Sequence, residues 1–362
     1  MTSHPTPAAH SRPIQHLRIT FWGTQGSLPI SLPNHAGDTT AIEVETNEGN
    51  IILLDAGSGI RRCSLSIVDR LANQHDRTLH IFGSHEHLDH RIGLTFSRFC
   101  YVEQNPFNLH LYGSYQFLHA LDQHYGIFSK EISDLTYLDD PVDFTMMSAN
   151  FTATELARSE TGGSGTPGGA DILVRHPHRR ASDAFKRHWP IHDLSSPIRI
   201  GRTIIQPFEV YHVIPCCLGY KIEHDGKTFI FCTDHELRRG PAANSANNDR
   251  QQRSDRAEST LRALSQNADL AYMDGQYFLD EYLGKKGIGS FPPMPRLDWG
   301  HSCIEDVIQR SLDCNIKRTL IGHHDPERDW PQRTRMDHHL SQLSADKPHQ
   351  IQLAHTDLVV DL

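Results

Sequence analysis

Short apolar runs with the length of β-strands recur along the chain from about Leu17 onward. The runs are LRITFWG, AIEVET, NIILLDAG, TLHIFGS, LHLYGS, RTIIQPFEVY, GYKIE, KTFIFCT, ADLAYMD and RTLIGHH. Stretches with helical spacing are fewer and lie between several of these runs. The pattern therefore predicts a mixed α/β (α+β) protein in which sheets pack on each other and helices lie outside.

Three segments interrupt this pattern. Residues 1–16 are rich in Pro and Ser, and we expect a flexible leader there, followed by a single domain over 17–362. Residues 158–197 contain a Gly-rich stretch and then a basic, His-rich patch at about 175–187, and residues 237–260 are rich in Asn, Arg and Ser. Both are predicted to be surface insertions that form solvated loops, although the cationic first one could contact substrate as a lid.

Composition narrows the class of protein. With 35 Lys and Arg against 44 Asp and Glu the net charge is −9, which disfavours a protein that coats nucleic acid non-specifically. The seven cysteines have no CxxC spacing, so we interpret them as reduced thiols. The sequence has neither a signal-peptide-like start nor an apolar run of about 18 residues, and we expect a cytoplasmic protein without a membrane partner. It also has no GxxxxGK(S/T) loop, which excludes a P-loop nucleotide hydrolase.

The segment SHEHLDH carries the strongest chemical signal. It follows directly on the apolar run LHIF, so His85, His87, Asp89 and His90 lie in the loop that leaves a buried strand. A sharp turn there can direct three imidazoles and a carboxylate into one small volume. Zn, Mn and Fe all accept these ligands, so the segment predicts a metal site.

Further ligands are expected at the ends of other strands, because a metal cluster at one edge of a sheet draws on several strands. His212 follows TIIQPFEVY, Asp234 follows KTFIFCT, and His323 follows RTLIG. His324 is an alternative to His323 at the last position. Any one of them alone could be structural, but together with SHEHLDH they complete a set of seven candidate ligands.

These segments resemble the metallo-β-lactamase superfamily, and in particular its branch of phosphodiesterases and tRNA 3′-processing nucleases. FWGTQGSLP, LLDAGSGIR, FCTDHE, DWGHS and IGHHDP are similar to that branch's motifs, and the resemblance spans roughly residues 17–329. It implies a four-layer αββα sandwich and two metal ions. It also implies a partition of the ligands: His85, His87 and His212 on one ion, Asp89, His90 and His323 on the other, and Asp234 bridging both.

Two residues outside the ligand set are candidates for supporting roles. Asp55, in LLDAGSG, is expected to orient a ligand, because a metal-bound His needs a partner for its other ring nitrogen. His301, in DWGHS, is the candidate proton donor to the leaving group. Ser302 and Glu305 have the spacing of a capping box, which predicts a helix directly after His301 whose amino end would favour a phosphate.

We therefore expect a hydrolase in which a hydroxide shared by two divalent ions attacks an ester, with Asp89 steering the hydroxide and His301 protonating the leaving oxygen. Zinc is the first expectation for the ions, and manganese and iron are alternatives. The resembling nucleases carry a long substrate-gripping arm between the residues that match His212 and Asp234. Only 22 positions separate those residues here. A small phosphodiester such as a cyclic nucleotide is therefore favoured, without a stable nucleic-acid complex.

Other functions on this fold remain open from the sequence. A tRNA 3′-processing endoribonuclease is the first alternative, with the basic patch at 175–187 as a relocated grip. A di-iron protein that senses oxygen or nitric oxide is the second, although that class places Glu where His87 stands here. Lactam-, lactone- and thioester-cleaving branches fit less well, and a non-catalytic binding protein is disfavoured because all seven ligand positions are filled. Relatives in this branch are commonly homodimers.

Overall fold

The computed structural model describes residues 12–32, 35–125, 127–128, 147–158, 189–214, 216–240, 245–344 and 349–362. All ten predicted strand runs are strands in the structure, and the described residues form seven further strands. Most of the seven are short or lie at sheet edges, where apolar patterning is weak.

The first sheet has eight strands. Their order across the sheet is β17 (Leu358–Asp361), β1 (Leu17–Gly23), β4 (Ala41–Thr46), β5 (Ile51–Leu54), β6 (Thr78–Phe82), β7 (Asn108–Gly113), β8 (Asn150–Ala157) and β9 (Ile191–Asp193). The pairs from β17 to β5 are antiparallel, and those from β5 to β9 are parallel. The parallel strands therefore present their carboxyl ends along one edge.

The second sheet has seven strands and the same mixed character. Their order is β10 (Ile198–Ile200), β11 (Thr203–Val210), β12 (Cys217–His224), β13 (Lys227–Cys232), β14 (Leu270–Asp274), β15 (Arg318–Gly322) and β16 (Gln350–Leu353). Strands β13 to β16 are parallel, and β11 runs in their direction because β12 is antiparallel to both of its neighbours. A small hairpin, β2 (Ile30–Leu32) with β3 (His35–Gly37), stands apart.

The two sheets pack face to face over a continuous apolar core, with Phe21 and Phe82 from the first sheet meeting Tyr220 and Phe231 from the second. Helices α1 (Ile60–Arg70) and α2 (Tyr115–Tyr125) cover the outer face of the first sheet. Helices α3 (Ser245–Leu264), α5 (Ile304–Asp313) and α6 (Trp330–Ser344) cover the second, and the short α4 spans Leu279–Tyr282. This arrangement confirms the predicted four-layer αββα sandwich.

Two of the three interrupting segments differ from expectation. In the predicted loop at 237–260, residues from 245 onward belong to α3, on which Ser254 and Leu261 are fully buried and Glu258 is nearly so. At the predicted leader, the carbonyls of Gln15 and His16 accept hydrogen bonds from Asn47, so this part is attached to the domain. Residues 1–11, most of the first insertion and its basic patch at 175–187 lie outside the described residues.

Within the part of the chain that the structure describes, no helix combines the length and apolar character that crossing a lipid bilayer requires.

Candidate metal centre

The loop that follows β6 supplies four of the candidate ligands. After Phe82 the chain leaves the sheet and closes a short 3-10 turn at Leu88–His90. The turn lets His85, Asp89 and His90 point toward one place, and all three are buried. A regular strand would have sent alternate side chains to opposite faces.

The second sheet supplies the other three candidates from the carboxyl ends of β11, β13 and β15. Asp234 and His323 have left-handed backbone conformations, with φ of 51° and 52°. Such values are uncommon for residues other than glycine and occur where the surrounding structure holds a functional geometry. They turn both side chains back over the sheet edge, toward the loop that follows β6.

The carboxylate of Asp234 lies between two groups of imidazoles. Its Oδ2 is 3.6 Å from Nε2 of His85 and 3.9 Å from Nε2 of His212. Its Oδ1 is 3.3 Å from Nε2 of His90 and 3.2 Å from Nε2 of His323. The structure therefore brings these predicted ligands together, with one oxygen of Asp234 facing each group.

Each group has the composition of a metal-binding site. In the first half-site, defined by His85, His87 and His212, Nε2 of His212 is 3.3 Å from Nδ1 of His87. In the second half-site, defined by Asp89, His90 and His323, Oδ2 of Asp89 is 3.2 Å from His90 Nε2 and 3.4 Å from His323 Nε2. The ligand atoms in each group lie within 4.8 Å of one another.

The imidazoles carry nitrogens that suit a cation. The Nε2 atoms of His85, His90 and His323 are buried, and the carboxylate oxygens beside them do not form hydrogen bonds of good geometry with them. Buried polar atoms normally make hydrogen bonds, so nitrogens in this situation are retained where a ligand satisfies them. Imidazole nitrogen and carboxylate oxygen are ligands that Zn, Mn and Fe accept, and the residues fit a pair of divalent ions.

The two half-sites differ in their electrostatics. Burial lowers the pKa of His85 and His87 and lowers that of His212 to about 3. Burial acts in the same direction on His90 and His323, but neighbouring carboxylates outweigh it. They raise the pKa of His90 well above its usual range and that of His323 to about 9. The cause is the number of carboxylates, since Asp89 and Asp234 both face the second half-site, Asp55 adds to them at His90 and Asp274 adds to them at His323.

Hydrogen bonds behind the ligands fix their rings. Oδ2 of Asp55 lies 2.7 Å from Nδ1 of His90, and the same carboxylate accepts hydrogen bonds from the backbone N–H and the hydroxyl of Ser84. Nδ1 of His212 is 3.0 Å from the carbonyl oxygen of Gly300. Asp55 therefore occupies the supporting position that the sequence predicts.

Any other residue at position 300 would clash with the ring of His212. The φ of Gly300 is 87°, and a Cβ built on it would lie 1.8 Å from Nδ1 of His212. The glycine in DWGHS thus allows the loop backbone to touch the ring of a candidate ligand.

His324, the alternative to His323, points away from the cluster. Its Nε2 is 2.8 Å from the carbonyl oxygen of Ala354, at the end of the next strand. The left-handed backbone at His323 separates the two adjacent rings, so His323 is the residue that reaches Asp89 and Asp234.

His301 lies beside both half-sites and has a carboxylate partner that the sequence analysis missed. Nδ1 of His301 is 3.0 Å from Oδ2 of Asp274, at the end of β14, and its ring stacks 4.8 Å from that of His323. Asp234, His301 and His323 also form a third group that could hold an ion. The sequence does contain a signal for Asp274, because this residue lies at the carboxyl end of the strand run ADLAYMD, as the candidate ligands of the second sheet lie at or after their strand ends.

The predicted capping box is wrong. Helix α5 begins at Ile304 with Cys303 at its cap, and the Ser302 hydroxyl instead donates to the carbonyl of His235. Glu305 accepts a hydrogen bond from the backbone of Leu279. Because Glu305 and Asp306 make the first turn acidic, the amino end of α5 does not suit a phosphate.

No protein-family profile and no curated protein sequence matches the chain. Solved structures do match. A diphosphatase from the PhnP family has 14% sequence identity and a TM-score of 0.54, covering 96% of this chain and 98% of that one. Human short-form tRNase Z has 15% identity and a TM-score of 0.53, covering 95% and 98%. The metallo-β-lactamase fold protein YhfI from Bacillus subtilis has 12% identity and a TM-score of 0.50, also covering 95% and 98%. Together with the two packed sheets and their outer helices, these similarities show that the chain has the metallo-β-lactamase fold.

Proposed function

We propose that this protein is a metal-dependent hydrolase that cleaves a small phosphodiester. The observation that carries the proposal is the convergence of seven imidazole and carboxylate side chains on one buried point, with Asp234 facing two groups of ligands. Two of the similar solved structures are named as a diphosphatase and a tRNase, and both names denote hydrolytic enzymes, which is consistent with the proposal.

Two divalent ions bound there would lower the pKa of a coordinated water and polarise the ester that it attacks. The residues of the first half-site would hold one ion and those of the second half-site the other, with Asp234 shared. Zinc is the first choice for this ligand set, and manganese and iron are the alternatives. Asp89, whose Oδ2 also accepts a hydrogen bond from the backbone N–H of Ser27, is held in position as a ligand and would steer the metal-activated water.

His301 is the group best placed to protonate the leaving oxygen. The contact with Asp274 fixes its ring and occupies Nδ1, which leaves Nε2 to exchange a proton with substrate. Asp274 also accepts a hydrogen bond from the backbone N–H of Ser302, so the carboxylate is itself held in place.

The connection between His212 and Asp234 supports a small substrate. It consists of a short loop, β12, a tight turn at Asp225–Gly226 and β13. This segment forms a hairpin within the sheet, so the described chain has no extended arm there to grip a folded RNA.

Cytoplasmic location belongs to the same proposal. The seven cysteines are all buried free thiols, which suits a reducing compartment. A buried thiol also resists oxidation, because burial raises the pKa of groups such as Cys100 and Cys232 and suppresses the reactive thiolate.

The test is a hydrolysis screen of purified protein with zinc, manganese or iron supplied separately. Its substrates are bis-p-nitrophenyl phosphate, cyclic mononucleotides, cyclic dinucleotides and a tRNA precursor. We expect turnover of small diesters, and cleavage of the precursor alone would favour the tRNA-processing alternative. A coloured, iron-containing protein that is inert toward every diester would contradict the hydrolase.

A further inference from the structure

Trp299 is 45% exposed to solvent. It precedes Gly300, whose carbonyl oxygen contacts the ring of His212, and it is two residues before His301. The backbone of Trp299 therefore lies beside a candidate ligand and the candidate proton donor.

The turn that carries Trp299 is rigidly anchored. The residues on both sides have left-handed backbones, with φ of 63° at Asp298 and 87° at Gly300. The backbone N–H groups of both donate to the buried carboxylate of Glu236, at 3.0 and 2.8 Å. The side chain of Asp298 accepts two hydrogen bonds from Arg238. These contacts turn the intervening side chain outward.

A buried cation covers one face of the indole. The guanidinium carbon of Arg296 is 4.2 Å from the centroid of the Trp299 ring and 5.7 Å from that of Tyr277. Arg296 is only 5% exposed, so the guanidinium is shielded from water. The ring of Tyr277 is in turn 5.9 Å from that of His301, so these side chains adjoin the metal centre. Because Trp299 is nearly half exposed, its second face is open to solvent.

Other apolar side chains next to candidate ligands are also exposed. Leu88 lies between His87 and Asp89, and Val213 follows His212. A single exposed apolar side chain is ordinary, but ligand-binding sites place several apolar side chains around a few polar groups. The expected ligand then has an anionic part that binds the metals and an apolar part that contacts the exposed apolar side chains.

We infer that Trp299 is a stacking platform for a flat aromatic group of the nucleobase class, carried by the phosphodiester that the metal centre binds. The inference rests on the proposed function and narrows its substrate class to nucleotide esters. Because Arg296 already holds the indole of Trp299 in place, little conformational entropy is lost when a base stacks on it. The guanidinium beneath the indole strengthens the stacking contact. Stacking on an aromatic side chain discriminates little among the bases. The platform therefore favours ligands that carry a base without selecting a particular base.

The test compares binding of AMP and of ribose 5-phosphate, which lacks the base, to the metal-loaded full-length protein by calorimetry. We expect AMP to bind more tightly than ribose 5-phosphate by about fivefold to about 150-fold, the range of stacking on one aromatic side chain. Trp299→Ala should remove that advantage, and Trp299→Phe should keep most of it. Phe96→Ala, which removes an exposed aromatic from a turn packed against α1, is the matched control.

Intrinsic fluorescence supplies a second readout, because AMP should quench a signal that Trp299→Phe lacks. Equal affinities for AMP and ribose 5-phosphate, no binding of AMP, or an unchanged AMP advantage in Trp299→Ala would each overturn the platform. Hydrolysis of bis-p-nitrophenyl phosphate is measured alongside. Turnover without any base preference rejects the platform alone, whereas a Trp299-dependent base preference without turnover supports the platform and rejects the hydrolase.

Discussion

The two half-sites of the metal centre use the same kind of ring in opposite electrostatic settings. In the first, His212 and its two imidazole neighbours share a single carboxylate, and their pKa values are lowered by burial. In the second, His90 and His323 share Asp89 and Asp234, each ring has one further carboxylate nearby, and their pKa values are raised. The charge state of a candidate ligand is therefore set by the carboxylates around it, and is not a property of histidine alone.

A consequence for metal loading follows from this contrast. Protons on His90 and His323 balance the carboxylates of the second half-site when no ion is bound, and a divalent ion must displace them. The first half-site holds neutral rings, so an ion binds there without displacing protons. The second half-site offers a cation more negative charge but makes its binding dependent on pH.

The change expected to have the largest effect is Asp234→Ala, which removes the carboxylate common to both half-sites. At least one ion should be lost and turnover should fall to background, because both groups of imidazoles lose their shared anion. Metal content by mass spectrometry and the rate on bis-p-nitrophenyl phosphate measure this. Circular dichroism should show a folded chain, and unaltered metal content and rate would show that the half-sites do not share a ligand.

His301→Ala tests whether this ring belongs to the second half-site or serves as a proton donor. If His301 is the proton donor, its replacement should lower kcat for an alkyl ester by about 10²- to 10⁴-fold. The loss should be much smaller for bis-p-nitrophenyl phosphate, because its leaving group needs little protonation. Metal content should be unchanged. Loss of an ion would instead make His301 a ligand in the group with Asp234 and His323, and equal losses of rate on both substrates would argue for a structural ring.

Asp55→Asn should weaken the second half-site selectively. Removing the charge behind His90 should lower metal affinity by roughly 10- to 100-fold at that half-site. The first half-site should be affected less, since Asp55 contacts His90 directly and reaches His85 only through the Ser84 hydroxyl, which is 3.0 Å from His85 Nδ1. Competition with a chromogenic chelator resolves the two affinities, and a uniform loss at both would remove the distinction between them.

The smallest effect is the pH dependence of loading. The pKa of His323 is raised to about 9, so below that pH its ring is protonated in the metal-free protein. Each proton displaced should weaken binding by about tenfold per pH unit as the pH falls. Calorimetry in two buffers of different ionisation enthalpy counts the protons released. Release on binding of one ion but not the other is expected, and equal release would refute the electrostatic contrast.

The sequence predicts the contiguous part of the centre better than the dispersed part. SHEHLDH predicts four ligands because they lie within six positions. His212, Asp234 and His323 are predicted because each follows the end of a strand run. Asp274 has the same signal but no local partner, because His301 is 27 residues away and meets it only when β14 and the DWGHS loop are packed. Glu236 is missed for a similar reason, since its partners, the Tyr282 hydroxyl and two backbone N–H groups, are distant in the sequence.

Local patterns fail where a tertiary contact changes the use of a side chain. Ser302 and Glu305 have capping spacing, but the serine hydroxyl binds His235 and the glutamate binds Leu279. The polar composition of 237–260 predicts a loop, yet Glu258 lies in a buried ion pair with Arg310 of α5, a contact that no local window contains. In both cases the competing partner comes from a different part of the chain.

The division of the ligands between the two sheets has a further meaning for assembly. The chain's amino-terminal half contributes the loop after β6, its carboxyl-terminal half contributes His212, Asp234 and His323, and Asp234 touches ligands from both. Neither half supplies all seven candidate ligands by itself. A chain that has formed its strands but has not yet docked one sheet on the other therefore lacks the complete ligand set, and binding of the metal pair would favour the docked arrangement.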